Sequence, residues 1–339
     1  MLKAFKEKDP NGNGIADEIP ISPQYAVRGL TLFGSALNLH LFYSLGFYPN
    51  AEGKIEYAWL TKEGEQLMRW LNKLYSEGLI DPEFNNYNAE QYNSKIARDM
   101  IGVTNSFLAN TRTFNNLQEQ NGIANPNWGP TLPPAAEGER GFYEEYGPLS
   151  GWFGITSASK NPVVAIQWLD YVYASLEGSR YMAFGIEGLS YEVVDGKPVF
   201  TEWTLNNPDG LSYTEALRSL GALPTVPWIR ATDGYLSDQP KALMENNPDL
   251  KEEAARLKEY QVPNSPFALA TVEESERYGT LMADINTYLD ENLVKFVMGT
   301  QPIDWEKFTS DLKNMGIDEV VSIKQAQYDR YQEAMNQMN

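Results

Sequence analysis

The sequence predicts a mixed α/β protein, organised either as two domains or as one large α/β unit with an elaborated lobe. Three observations lead there. At 339 residues the chain can build more than one hydrophobic core. Short apolar or alternating stretches, Lys54–Leu60, Met100–Val103 and Trp152–Thr156, read as strands. Between them run amphipathic stretches that start and stop with helix punctuation. Charged residues make up 22% and hydrophobic residues 42%, the proportions of an ordinary globule. No apolar run of about eighteen residues is present to span a bilayer as a helix.

The chain opens with a short helix, Leu2–Lys8, that enters the loop Asp9-Pro10-Asn11-Gly12-Asn13-Gly14-Ile15-Ala16-Asp17-Glu18. Hard cations such as Ca²⁺ take about six to eight oxygens, and alternating residues of a tight loop can point that many inward. Side chains of Asp9, Asn11 and Asn13, the carbonyl of Ile15, and the carboxylates of Asp17 and Glu18 form the candidate ligand set. Gly14 stands where the calcium-loop pattern D-x-[DN]-x-[DN]-G needs its sharp turn. The pattern then departs from an EF-hand. Its twelfth position, a bidentate Glu in that motif, is Pro20, and Ile19-Pro20-Ile21 reads as an extended exit. The plainer reading is an Asn/Gly turn with incidental acids.

After the loop, Gly29–Phe47 holds a short helix among glycines. Thr61–Gly78 is an amphipathic helix with Leu67, Trp70, Leu71 and Leu74 on its inner stripe. Gly122–Arg140 carries prolines at 126, 130, 133 and 134 and reads as a linker or crossing. Asn161-Pro162 opens a helix through Leu176, with Trp168 on its core stripe. Asp195-Gly196 is a hairpin turn between Tyr191–Val194 and Val199–Phe200. Helices follow at Asp249–Tyr260, Ser275–Met298, Asp304–Asn314 and Glu319–Met335.

Composition narrows the function. Forty-six acidic residues against 27 basic ones leave a net charge of −19, with no basic stripe, which argues against a nucleic-acid partner. The absence of cysteine removes disulfides, thiolate zinc sites and cysteine nucleophiles together. The single histidine, His40, lies in Leu39-His40-Leu41-Phe42 and reads as a packed residue with one nitrogen hydrogen-bonded.

Several separated segments resemble the extracellular solute-binding proteins (family 1) that feed ATP-driven importers, in particular the long sugar-binding lipoproteins of Gram-positive bacteria. They are Phe5–Pro20, Leu71–Phe84 (LNKLYSEGLIDPEF), Phe153–Tyr191 and Tyr288–Tyr331. The resemblance implies an α/β, two-lobed, type II periplasmic-binding-protein-like fold with a sugar or oligosaccharide held in an interlobe cleft. It implies that the loop Asp9–Glu18 is a structural calcium site. By the family layout residues 1–146 belong to the second lobe, 147–228 to the first, and 229–339 return to the second. Most of the first lobe, with the signal peptide and the lipid-bearing cysteine, is expected upstream of Met1. The implied partners are a carbohydrate and the permease subunits of an ABC transporter. The implied location is the extracellular face of the membrane, as a monomeric lipoprotein.

Sugars present apolar faces and a rim of hydroxyls, so their sites pair flat aromatics with planar polar groups. The sequence has 20 Tyr and 8 Trp. Residues in loops and at strand ends are the candidates: Trp228 first, then Trp152, with Trp203, Tyr191, Phe107, Asn105 and Arg140 behind them. A calcium-stabilised carbohydrate-active enzyme is the rival from another class. It would need two carboxylates at defined spacing, and Glu144-Glu145 reads instead as a solvated face. A surface adhesion or scaffold module is the third reading.

Overall fold

The computed structural model describes residues 1–108, 110–145, 154–209, 211, 213–222, 252 and 255–338. Its strands are β1 (Ile19–Ile21), β2 (Phe47–Pro49), β3 (Ile55–Tyr57), β4 (Ile101–Val103), β5 (Tyr143–Glu145), β6 (Tyr191–Val194), β7 (Lys197–Phe200) and β8 (Gln261–Pro263). The chain divides into two compact units: Met1–Gly147 with Leu257–Asn339, and Pro148–Arg256. The second boundary expected from the resemblance, at 228, lies outside the described residues.

The first unit is built on two helices that are far apart in sequence. Lys62–Ser76 begins at Thr61, whose hydroxyl accepts from the Gly64 amide at 3.1 Å, and it buries Leu67, Met68, Leu71 and Leu74. Against it packs the long helix Val272–Met298, opened by a Thr271/Glu274 capping box and ended by Gly299 at φ +70°. Its buried stripe, Met282, Ile285, Leu289, Leu293 and Phe296, keeps the helical spacing visible in the sequence. Trp305–Asn314 and Ile317–Met338 complete this layer, Phe308 stacking on Tyr288 and meeting Phe296 edge-on.

Strands β1 and β4 pair in parallel, Ile19 opposite Ile101 and Ile21 opposite Val103, and Ile80 bridges Ile21 from the other side. Below them lies a buried polar knot. Asp81 is 1% exposed and accepts from Ser22 Oγ at 2.7 Å and from Lys95 Nζ at 2.8 Å. The hairpin β2–β3 is capped by Gln325, whose side chain accepts from Ile55 N and donates to Gly53 O.

Several expectations are corrected here. Gly122–Arg140 is not a crossing but an irregular segment of the first unit: Trp128 meets Phe114 edge-on at 5.4 Å, and Ala136 N donates to Ala36 O. The second half of Lys54–Leu60 is 3-10 helix rather than strand. Trp70 is 40% exposed, meeting Phe33 edge-on from the rim of the core. The inner stripe of that helix is already filled by Leu67, Met68, Leu71 and Leu74, which leaves the bulky indole outside.

In the second unit, Phe184, Tyr191, Phe200, Leu205 and Leu217 form a small core around the β6–β7 hairpin. Its turn, Asp195 at φ +52° and Gly196 at φ +78°, has the two left-handed residues of a type I′ connection. Helix Pro162–Ala174 was expected to bury Trp168. Instead Trp168 is 56% exposed, together with Val163, Val164 and Ile166, while Val172 is buried. The helix is apolar on all sides, so its sequence has no single stripe to select an inner face. Of the strand expected at Trp152–Thr156, residues 154–156 carry no strand and the others lie outside the described residues.

Replacing Asp81 by Ala is expected to destabilise the first unit by about 2 kcal/mol, because it removes the buried acceptor of Ser22 and leaves the Lys95 ammonium only the exposed Glu83, at 2.9 Å. Urea unfolding followed by far-UV circular dichroism measures this; a loss below about 0.5 kcal/mol would mean the knot is not a stability element.

Candidate functional site

The loop between the first helix and β1 is wound by its own oxygens. Asp9, at φ +44°, accepts from Asn13 N at 3.1 Å and from Gly14 N at 2.9 Å. Asn13 Oδ1 accepts from Ile15 N, Asn13 Nδ2 donates to Asp17 Oδ1 at 3.2 Å, and Asn11 Nδ2 donates to Asp99 O. Asp17 also meets Arg98 at 3.3 Å. The loop leaves directly into β1, the extended exit read from the sequence.

Two observations bear on whether a cation fits. Glu18 is only 9% exposed, yet neither carboxylate oxygen has a hydrogen-bond partner. A buried carboxylate left in that state is costly unless a cation or donor meets it. Against this, no group of three Asp, Glu or His side chains converges as a metal cluster among the described residues. A hard-cation loop draws on amide and main-chain oxygens as well, so the orphaned Glu18 weighs more, and the donor set fits a hard cation.

A second constellation lies past the C-terminal ends of β1 and β4, the end of a parallel strand pair where α/β folds place ligands. Asn105 Oδ1 accepts from Gln24 N at 3.1 Å, while its Nδ2 is buried without a partner. Ser106 Oγ donates to Gln24 Oε1 at 2.9 Å. Phe107 is 45% exposed and faces Phe42 at 6.1 Å, and Phe42 in turn lies 4.2 Å from Tyr43. Tyr25, also exposed, precedes the helix Ala26–Thr31, and burial of its hydroxyl end raises its pKa. Exposed rings beside planar amides and hydroxyls are what a polyhydroxylated ligand requires.

Of the residues chosen from the sequence, Asn105 and Phe107 come together here. Arg140 does not join them: its Nη2 donates to Glu259 O at 2.7 Å and its guanidinium lies 4.7 Å over the Tyr260 ring. In the second unit Tyr191 is 5% exposed, its ring set against Phe184, with its hydroxyl 3.4 Å from Glu187. Its ring serves the core there and offers no open stacking face. Trp203 is half-buried on the short helix Glu202–Leu205. Trp152 and Trp228 lie outside the described residues. Sequence reading missed Gln24, Tyr25, Phe42 and Tyr43. The run Ser22-Pro23-Gln24-Tyr25, directly after a strand, was the available signal.

Glu144, expected on a solvated face, is buried. Its side chain is 3% exposed and accepts from Phe42 N at 2.6 Å, Tyr43 N at 2.8 Å and, through Oε1, faces His40 Nδ1 at 3.2 Å. His40 is itself flanked by Phe142 at 4.5 Å and Tyr48 at 5.1 Å, the packed role read for it. Burial pushes the Glu144 pKa up, but the hydrogen bonds from His40 and Ser44, the His40 charge and the Phe42 amide together bring it below the ordinary value of 4.5.

No protein-family model matches the chain. It is 24% identical over 361 residues to the fructooligosaccharide ABC transporter substrate-binding protein FusA of Streptococcus pneumoniae, covering 99% of this chain and 62% of FusA. It is 25% identical over 294 residues to lipoprotein LipO of Bacillus subtilis, covering 85% and 56%. Among solved structures, the alginate-binding protein AlgQ2 without calcium ion superposes with a TM-score of 0.76 at 26% identity, over 97% of this chain and 66% of AlgQ2. FusA in complex with kestose gives 0.67 at 22% identity, over 98% and 67%, a likeness of fold alone. The family resemblance read from the sequence is supported: among these relatives are a fructooligosaccharide ABC transporter substrate-binding protein, an alginate-binding protein and a lipoprotein, and the fold is of their α/β type. The chain spans about three fifths of the length of the curated relatives it matches.

The lowered pKa of Glu144 fixes a sign. A carboxyl more acidic when folded contributes stability above its unfolded pKa, and that contribution is lost as pH falls through the depressed folded value. Stability plotted against pH is therefore expected to fall more steeply below about 4.5 in the native protein than in Glu144→Gln. Urea midpoints between pH 7 and pH 3 supply the comparison, and parallel curves would exclude the assignment.

Proposed function

We propose that the chain is the substrate-binding part of a carbohydrate ABC importer, binding an oligosaccharide without catalysing its hydrolysis and holding a structural calcium ion. What carries the reading is the conjunction of its relatives with the surface beyond β1 and β4: FusA is a fructooligosaccharide-binding protein, and this surface sets open rings beside amides and hydroxyls. Phe107 and Phe42 offer apolar faces to a pyranose or furanose ring. Asn105, Ser106 and Gln24 offer donors and acceptors to its hydroxyls. The enzyme reading draws no support from Glu144, whose oxygens are already taken by main-chain amides and His40.

For the ion, Asp9, Asn11, Asn13, Ile15, Asp17 and Glu18 are the residues that would hold it. A dication there offsets the three carboxylates and stiffens the entry to β1. In this reading the chain works as a monomer; a place at the outer face of the membrane accords with a lipoprotein among its relatives, and permease partners accord with the ABC transporter component FusA.

Titration with kestose, with neutral oligosaccharides and with oligomers of alginate, followed by thermal unfolding, tests the cargo. A bound glycan at a hundredfold over its dissociation constant raises stability by about 2.7 kcal/mol. Phe107→Ala is expected to weaken the glycan that binds by about tenfold, or ~1.4 kcal/mol. A cooperative melt that no glycan shifts, with reducing ends accumulating from a polysaccharide, would transfer the assignment to the enzyme class.

Calcium is tested separately. Chelation is expected to lower the melting temperature, calcium to restore it, and Glu18→Gln to abolish the calcium-dependent part. Isothermal titration that detects no calcium uptake by the native protein would remove the ion from the proposal.

A further inference from the structure

The second unit begins at Pro148 and ends at Arg256, so β5 is the last described strand before it and β8 the first after it. These two roots are parallel neighbours, Glu144 opposite Val262, in a sheet that has two strands among the described residues. Such a ribbon is marginal by itself and must borrow its order from elsewhere. The loop His40–Ser44 supplies it, because it is fastened to both roots. Glu144 on β5 accepts from the amides of Phe42 and Tyr43 and meets His40. Just past β8, Ser265 N donates to Ser44 Oγ at 3.0 Å, and Asn264 N donates to Glu145 O at 2.9 Å. The same loop carries Phe42, which faces Phe107.

We propose that Glu144 is a positioning residue that makes the Phe42–Phe107 aromatic surface and the roots of both connections to the second unit a single mechanical body. A group pressing on Phe42 then acts on β5 and β8 together. The carboxylate is suited to this because its bonds to main-chain amides are charge-assisted and shielded from water. Both amides share the single oxygen Oε2, so removing its charge weakens the two bonds at once. The functional meaning rests on the glycan reading above, whereas the coupling itself is tested with no glycan present.

Native-state hydrogen exchange resolved at single amides is the experiment. In the native protein the amides of Phe42, Tyr43, Asn264 and Ser265 are expected to share one protection factor. Glu144→Gln should lower all four by about tenfold or more, the Asn264 and Ser265 amides included although neither touches the substituted group. Amides of Leu293 and Phe296 in the long helix should keep native protection. Should Glu144→Gln not fold, Ser44→Ala cuts the loop from β8 and removes the Ser44 bond to Glu144 while leaving the carboxylate on the Phe42 and Tyr43 amides, and the same four amides should respond together. Loss at Phe42 and Tyr43 with Asn264 and Ser265 unchanged would overturn the coupling. An equal loss across the long helix would reduce Glu144 to a global stability residue and overturn it as well. Either result leaves the glycan reading untouched, since that is decided by titration.

Discussion

The first unit depends on one helix contact, Lys62–Ser76 against Val272–Met298. Each helix presents a stripe too apolar to leave in water, and the partner that covers it lies on the far side of the second unit in sequence. Closing so long a loop costs little more than closing a shorter one, since the entropy grows only logarithmically with length. Burial of Leu67, Leu71, Ile285, Leu289 and Phe296 more than offsets it at roughly 1.5–3 kcal/mol per side chain. The consequence for architecture is that the intervening residues are free to form their own core, and around the β6–β7 hairpin they do.

That frame sets the polarity of the strand pair β1–β4. The oxygen-rich loop and the Arg98–Asp99 turn precede the two strands and are already joined to each other, through Asn11 to Asp99 and Asp17 to Arg98. Gln24 and Asn105 follow the same strands at the opposite ends. A cation in the loop would therefore fix register from behind, at the ends of the strands opposite the Gln24–Asn105 surface, with which the loop shares no residue. Ile19, with its amide bonded to Met100 O, is the first rung between them.

The sequence was most legible where a local rule has one solution. Thr61, Gly78 and Asp195-Gly196 mark ends and turns that the structure reproduces, because capping and left-handed residues act within a few positions. Asn105 and Phe107 could be chosen because they follow a short apolar strand. Phe42 and Tyr43 could not, since what brings them to Phe107 is a loop tied down by Glu144 from a hundred residues away. Glu144 itself reads as a surface acid in an acid-rich chain; only the amides and the imidazole that surround it reveal the opposite. Trp70 and Trp168 show the limit of periodicity. It finds the apolar positions of a helix but does not decide which remain outside when the partner surface is already full or is apolar everywhere.

The placement of the indoles has a spectroscopic consequence. Trp59 is 5% exposed inside the first core, so its emission should move far to the red when that core opens. Trp168 already stands in solvent and has little further to move. Trp168 is thus nearly blind to the unfolding of the smaller core, which among the described indoles of that unit is left to the half-buried Trp203, so a fluorescence transition weighs the first core more heavily. Far-UV ellipticity, to which the helices of both units contribute, would register an event that the indole of Trp168 conceals.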